Sequence, residues 1–349
     1  MKNNTALFRV LLACAALVVI FAGIKLATEI VVPFLLALFI AIICSPIVDF
    51  MTKRKIQRWL AITVLFCLIL VVFFFLVGLI NGTVREFTQS IPQYKILLSQ
   101  RLNDIWALAQ RFNIPLHISK DTILDNFDPS IVMNFVSKLL LGFSGVVTNV
   151  FVLFLVVILM LFEAPTAKHK FAVAFSANNQ NIEPQEYYID RILKGVISYL
   201  GVKTLTSAIT GILVYTLLKI AGVQYAILWA TFSFLFNYIP NIGSILASIP
   251  IIVQALLLNG FTIGFFVTIG VVMINMIVGN ILEPKLMGRK LGLSTLVVFL
   301  SLLFWGWLLG TVGMLLSVPL TMTLKIALEA SPKTMKYALL LGDISKKVD

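Results

Sequence analysis

The architecture of this chain follows from residues 226–258, which read AILWATFSFLF (226–236), NYIPNIGS (237–244) and ILASIPIIVQALLL (245–258). The first apolar block, as a helix, is about 16 Å long. That is too short to cross roughly 30 Å of hydrocarbon alone. We therefore interpret residues 226–258 as a re-entrant helical hairpin, which enters the membrane and turns back within it. An ordinary surface loop between two complete spans is the alternative.

The composition of the whole chain agrees with a membrane environment. Of 349 residues, 60% are hydrophobic and 12% are charged, and the mean hydropathy is +1.03. Soluble domains carry about 25% charged residues, and a water-soluble core has no room for this much apolar surface. We predict an all-α polytopic integral membrane protein with about 7–8 transmembrane helices, re-entrant helical hairpins and a small extracytoplasmic helical subdomain.

Apolar blocks and charged boundaries divide the chain into five parts. We expect three transmembrane helices in 1–82, an extracytoplasmic helical region in 83–138, a transmembrane helix with a cytoplasmic interfacial helix in 139–204, a core with two helical hairpins in 205–330, and a cytoplasmic tail in 331–349. Each part begins where the hydrophobic pattern changes, because a membrane span and a solvent-exposed helix bury different faces.

Basic residues gather at the ends of the apolar blocks, which accounts for the formal net charge of +12. The cluster Lys53-Arg54-Lys55, with Arg58, marks a cytoplasmic side and places the N-terminus there. The lysines of the tail place the C-terminus on the same side. No basic patch carries the interleaved aromatic residues of a nucleic-acid site, so we expect the lipid bilayer and no nucleic acid as a partner.

Three local patterns predict how the helices are connected. Only Thr28-Glu29 separates the first two apolar segments, which predicts a tight helical hairpin. Residues 189–200 carry an amphipathic stripe, which we interpret as a separate interfacial helix before a span at 205–221. A soluble linker helix is the alternative for that stripe. Lys203 and Lys219 bracket the span, so we expect both lysines to snorkel to opposite interfaces.

The polar break at 237–244 is the first candidate binding site. Backbone groups in hydrocarbon must be hydrogen-bonded, so this break must be buried in protein or line a wet cavity. Half-helix ends there expose N–H and C=O groups, and polar side chains add further donors and acceptors. We predict five substrate-binding residues in the break: Asn237, Pro240, Asn241, Gly243 and Ser244.

Polar residues of the next apolar segment extend this candidate site. Glu283 ends a nearly apolar run, and an intramembrane carboxylate is costly enough to be a functional candidate by default. The alternative is an interfacial carboxylate paired with Lys285 or Arg289. We interpret Asn275 and Asn280 as hydrogen-bonding groups between helices, with solute contact as the alternative.

A second interruption lies near 306–313. GSILASIP (243–250) resembles GMLLSVP (313–319), and each follows an apolar half-segment and a break. Paired interrupted segments point to a transporter site, although the shared composition of membrane helices is an alternative explanation. Ser294 and Thr295 lie near the second break and complete the predicted substrate-binding set.

The signatures of several enzyme and pump classes are absent. The sequence contains no GxxxxGK[ST] phosphate loop, no HExxH and no GxSxG. Its three cysteines show no metal-ligand or redox spacing. We therefore predict a protein that is not an enzyme and needs no cofactor or metal. A scaffold without transport is disfavoured, because a scaffold has no need of polar breaks.

Four stretches resemble the autoinducer-2 exporter family, also called the PerM-type permease family. They are EIVVPFLLALFIA (29–41), FNYIPNIGS (236–244), GNILEPKLMG (279–288), and LGLSTLVVFLS (291–301) followed by FWGWLLG (304–310). The resemblance implies export of autoinducer-2, a small polyhydroxylated signal, across the bacterial inner membrane. It also implies a pentameric homo-oligomer with two hairpins around the substrate and an elevator-like motion. Some relatives exchange Na⁺ and protons, so an antiporter centred on Glu283 is the alternative.

Overall fold

The computed structural model describes residues 2–78, 100, 103, 150–175, 183–240, 242–287 and 292–342. Nearly all of these residues are helical, and the β-structure among them is one isolated bridge between Leu293 and Gly342. The predicted all-α class is therefore confirmed. The extracytoplasmic region expected at 83–138 lies outside the described residues, apart from two single positions.

Eleven helices are labelled here in chain order over the described residues. They are α1 (Lys2–Leu26), α2 (Thr28–Lys53), α3 (Arg58–Gly78), α4 (Val150–Phe175), α5 (Glu183–Ile220), α6 (Ala226–Phe236), α7 (Ile242–Gln254), α8 (Phe261–Ile277), α9 (Glu283–Met287), α10 (Thr295–Glu329) and α11 (Met335–Leu341). A π-helical turn at Ala255–Asn259 extends α7, and another at Val278–Leu282 joins α8 to α9. Among the described residues, seven helices are long and apolar enough to cross a membrane, which confirms a polytopic protein.

The described residues fall into two compact units. The terminal unit takes those within Met1–Phe66, Val146–Leu200 and Arg289–Asp349, and the central unit takes those within Cys67–Gly145 and Gly201–Gly288. The central unit contains α6 and α7, and the terminal unit contains α10. Each unit therefore holds one of the two interrupted segments that the sequence singled out.

Helices α6 and α7 form a hairpin in the central unit. Helix α6 ends at Phe236, as the sequence predicted, and α7 begins at Ile242. The indole of Trp229 on the first arm donates a hydrogen bond to the Gln254 side chain on the second. At the start of α7, a Cβ on Gly243 would lie 1.8 Å from the Phe236 carbonyl oxygen. The two arms meet there because Gly243 has no side chain.

Helix α10 also folds back on itself. Gly310 interrupts it with φ 69° and ψ −149°, a backbone conformation that favours glycine. Trp305 Nε1 donates to Thr321 Oγ1 at 2.9 Å, although these residues would lie about 24 Å apart along an unbroken helix. A Cβ on Gly313 would lie 2.0 Å from the Trp305 carbonyl oxygen. The likeness between 243–250 and 313–319 therefore has a structural counterpart.

Two predicted connections are wrong. Ala27, which separates α1 from α2, has φ −87° and ψ 14°, and the Val31 N–H reaches its carbonyl oxygen at 2.9 Å. These values belong to a bend in a nearly continuous helix, so α1 and α2 do not form the predicted tight hairpin. Helix α5 runs unbroken for 38 residues, so the expected interfacial helix at 189–200 and the span at 205–221 are one element.

Candidate functional site

A cavity of about 530 Å³ lies inside the central unit, beside the turn between α6 and α7. Its volume is in the range of small-molecule sites. The lining comes from α5, from the turn and α7, and from α8 with its continuation into α9. The lining residues are Lys203, Asn237, Pro240, Ser244, Ile245, Ser248, Ile249, Ile252, Val272, Asn275, Met276, Gly279, Asn280 and Glu283.

Helical periodicity explains why these side chains meet in one place. The lining residues of α7 recur at successive steps of one and three, from Ser244 to Ile252. Those of the segment from Val272 to Glu283 recur at steps of three and four, including across the π-helical turn. Residues three or four positions apart share a helix face, so each element presents one continuous stripe to the cavity. The stripe on α7 combines three isoleucines with two serines, and half of the residues in the second stripe are polar.

A buried ion pair forms the charged part of the cavity. Lys203 Nζ lies 2.6 Å from a Glu283 carboxylate oxygen, and the two side chains are only 4% and 16% exposed. The prediction that Lys203 snorkels to an interface is wrong, because the helix continues well beyond it in both directions. The alternative pairing of Glu283 with Lys285 is also wrong, because Glu283 pairs with Lys203 and Lys285 is exposed. Arg289, the other predicted partner, lies outside the described residues.

The same lysine holds the turn of the hairpin. Lys203 Nζ donates to the Asn237 carbonyl oxygen at 3.2 Å. The side-chain amide of Asn237 donates to Ser207 Oγ at 3.1 Å, and Ser207 lies one helical turn beyond Lys203 on α5. Tyr238 adds a hydrogen bond from its phenol to Thr204 Oγ1 at 2.9 Å. The turn is therefore bound to α5 by polar groups, and Asn237 itself is 8% exposed.

Neutral polar groups line the opposite wall. Asn275 Nδ2 donates to Ser248 Oγ at 2.9 Å, and Ser248 Oγ donates to the Ser244 carbonyl oxygen at 2.6 Å. Asn275 thus joins α8 to α7, as its interpretation as a helix-connecting group predicted, and it also lines the cavity. Asn280 lines the cavity too, but no group in the described part of the chain hydrogen-bonds to its side-chain amide, so its interpretation as a helix-connecting group is wrong there.

The remaining predicted site residues have separate positions. Pro240 and Ser244 line the cavity, whereas Gly243 lies at the contact between the two arms of the hairpin. Asn241 falls outside the described residues. Ser294 and Thr295 belong to the terminal unit, where Ser294 Oγ accepts the Val297 N–H at 3.2 Å and caps the start of α10.

Lys203 is the charged residue of this site that sequence reasoning missed. The misplaced boundary at 205 put it at the end of a helix, where a lysine reaches water easily. Read as one helix over 183–220, the same sequence places Lys203 near the middle, out of reach of either end. A charge so placed needs a partner, and that signal was present in the sequence.

The charges of the site cancel, because one ammonium faces one carboxylate. Within the described ranges, no group of three His, Cys, Asp or Glu side chains could hold a metal ion. What the cavity presents is therefore a set of amides, hydroxyls and carbonyl oxygens around a neutralised ion pair. Such a lining suits a small polar solute without net charge, which needs several hydrogen-bond partners.

Comparisons with known proteins extend over nearly the whole chain. A family model described as AI-2E family transporter matches residues 14–333. A putative transport protein of Haemophilus influenzae is 70% identical over 99% of both chains. The AI-2 transport protein TqsA of Escherichia coli K12 is 42% identical over 97% of both chains. The putative transport protein YhhT of the same organism is also 42% identical, over 95% of this chain and 94% of its own.

Proposed function

We propose that this chain, which belongs to the AI-2E family of transporters, exports a small polar signal of the autoinducer-2 type across the bacterial inner membrane. The relative named as an AI-2 transport protein is 42% identical to it over 97% of both chains. Other relatives are named only as putative transport proteins. The chemistry of the cavity therefore carries more weight for the substrate than the names of the relatives do.

The observation that carries the proposal is the buried polar turn beside a cavity. Asn237 and Ile239 are 8% and 9% exposed, and Asn237 and Pro240 border a space of about 530 Å³. A helix break that faces lipid is not tolerated, whereas one that borders a wet cavity is. A polyol of modest size fits the chemistry, because it can exchange hydrogen bonds with amides and hydroxyls and needs no counter-charge.

The ion pair bears on the alternative of a Na⁺/H⁺ antiporter centred on Glu283. An antiporter of that kind needs a carboxylate that releases and rebinds a cation. Lys203 Nζ already lies 2.6 Å from Glu283, so a Na⁺ ion or a proton has to displace it. This arrangement favours the neutral solute.

The proposal includes a homo-oligomer, a pentamer by family resemblance, with both termini in the cytoplasm. It also includes an elevator-like movement, in which one part of the chain carries the substrate past another. Two observations support the movement: the described residues form two compact units, and the cavity lies wholly within the central unit. A site contained in one unit can travel with it.

Transport in everted membrane vesicles tests the proposal. Vesicles with the full-length chain should take up labelled autoinducer-2 faster than vesicles without it. Asn280→Leu removes an amide that lines the cavity, and loss of one or two hydrogen bonds should lower uptake about tenfold. Thr268→Val on α8, the helix that precedes the turn carrying Asn280, is the matched control, because the Thr268 hydroxyl donates to the Gly264 carbonyl oxygen of its own helix.

Two results would contradict this function. Equal uptake with and without the chain, at the same level of inserted protein, rejects export of the signal. A Na⁺-dependent pH change in the vesicles that Glu283→Gln abolishes, without any signal uptake, supports the antiporter instead.

A further inference from the structure

Two neighbouring cavities of the central unit take no part in the candidate transport site. One has a volume of about 470 Å³ and lies where α5 ends and α6 begins. The other has about 450 Å³ and lies between α3, α5 and α6. Tyr215 and Ile227 line both of them. The two spaces therefore adjoin each other at these two side chains, and we consider them as the two halves of one elongated site.

The first space is lined by polar side chains, one of them the cation Lys219. Lys219, Gln224 and Tyr225 line it together with Tyr215. Lys219 Nζ lies 5.9 Å from the centre of the Tyr215 ring, and no carboxylate in the described part of the chain forms a salt bridge with it. A lysine beside two tyrosines at the end of an apolar helix is typical of a membrane interface, where it meets lipid head groups.

The second space is an apolar groove. On α5 it is lined by Ala208, Gly211, Ile212 and Tyr215, which share a helix face at steps of three and four. Helices α5 and α6 approach closely at Gly211, where a Cβ would lie only 3.2 Å from the Ala230 carbonyl oxygen. Because Gly211 has no side chain, the groove stays open at this point. Val72 and Leu76 of α3 form its far wall.

The length of this combined site matches one leaflet of a bilayer. From Lys219 back to Ala208 is 11 positions along α5, or about 16 Å. Half of the hydrocarbon thickness is about 15 Å. A phospholipid needs a partner for its phosphate and an apolar groove for an acyl chain. The combined site offers both, a cation at one end and an apolar groove of this length beside it.

We propose that this site binds one anionic phospholipid, with its phosphate at Lys219 and one acyl chain in the groove between α3, α5 and α6. The inference depends on the membrane location of the chain and not on the transported solute. The matching charge selects an anionic lipid over a zwitterionic one, because the ammonium of a zwitterionic head group would face Lys219.

Native mass spectrometry of the full-length protein in detergent tests this site. Titration with phosphatidylglycerol should give a saturable lipid adduct, and phosphatidylcholine should give a weaker one. Lys219→Gln should lower the affinity for phosphatidylglycerol about fivefold. Ala208→Phe should fill the groove and weaken binding of a long-chain lipid, while a dihexanoyl lipid with the same head group is affected much less.

Lys336→Gln is the matched control. Lys336 Nζ also lies over a tyrosine, 5.0 Å from the centre of the Tyr337 ring, but it borders neither cavity. Lys219 is exposed, so its variant should fold, and it tests the site even if Ala208→Phe does not fold.

Three outcomes would overturn the proposal. Equal affinity of Lys219→Gln and wild type for phosphatidylglycerol would show that Lys219 does not contact the head group. Competition by millimolar inorganic phosphate, without any effect of acyl-chain length, identifies a free-anion site. A change in oligomer mass in Lys219→Gln or Ala208→Phe, with unchanged lipid adducts, identifies the groove as an interface between copies of the chain.

Discussion

The two hairpins of this protein share one backbone arrangement but differ in the chemical environment of the turn. In each, the glycine that begins the second arm, Gly243 or Gly313, faces a carbonyl oxygen at the end of the first. In each, an indole joins the arms, Trp229 to Gln254 and Trp305 to Thr321. A lysine also donates to a carbonyl near each turn, Lys203 to Asn237 at 3.2 Å and Lys25 to Trp307 at 2.8 Å.

What differs is the environment of that lysine. Lys203 is 3% exposed and is neutralised by Glu283. Lys25 is exposed and lies over the Trp307 ring, 4.3 Å from its centre. The hairpin in the central unit therefore joins a buried polar cavity, whereas the one in the terminal unit is held by a contact at an exposed surface. Hairpin geometry alone therefore does not distinguish the candidate site, whereas the buried, compensated charge beside the turn does.

The largest expected effect separates the two lysines. Lys203→Met leaves the Glu283 carboxylate buried without its partner and should lower the free energy of unfolding by about 3–5 kcal/mol. Lys25→Met removes an exposed contact and should cost less than about 1 kcal/mol. Unfolding titrations in mixed detergent micelles measure both values.

A second substitution shows whether the charge itself is responsible. Glu283→Gln added to Lys203→Met removes the unpaired charge, so the double variant should regain at least half of the lost stability. Equal losses for Lys203→Met and Lys25→Met would show that the two hairpins do not differ in the way described.

The next effect tests what the hairpins share. Gly243→Ala and Gly313→Ala each place a methyl group about 2 Å from a backbone oxygen and should each cost about 2 kcal/mol or more. Gly201→Ala on α5 and Gly23→Ala on α1 are the controls, because a Cβ at either meets nothing within 4 Å. The same titrations should find those two variants neutral or more stable, since alanine favours helix over glycine. A loss at only one of Gly243 and Gly313 would break the structural likeness of the two hairpins.

The smallest effect compares the two indole bridges. Trp229→Phe leaves a buried amide oxygen of Gln254 without its donor, and should cost about 1–3 kcal/mol beyond the loss of ring volume. Trp305→Phe should cost less, because the Thr321 hydroxyl can rotate and donate to the carbonyl four residues before it. Thermal unfolding of the two variants, measured side by side, gives the difference. A larger loss in Trp305→Phe would contradict this order.

Much of this architecture could be predicted from the sequence, because periodicity and span length are local properties. The 11 residues of α6 and the break after Phe236 follow from hydrophobicity alone. The second break near Gly310 was equally visible. Of the predicted site residues, Asn237, Pro240, Ser244 and Glu283 do line one cavity, since helical spacing and a turn bring them to one side of their own segments.

The sequence alone determined an all-helical membrane chain with two interrupted segments and polar residues at the first of them. The reason is that backbone N–H and C=O groups in hydrocarbon must be hydrogen-bonded within the protein, which few structures allow. Only the tertiary structure decided that Lys203 pairs with Glu283, 80 positions away in the chain, and that α5 is one helix rather than two. Which charges meet depends on how helix faces pack across long separations, and a pattern read along one helix carries no information about the helix packed against it.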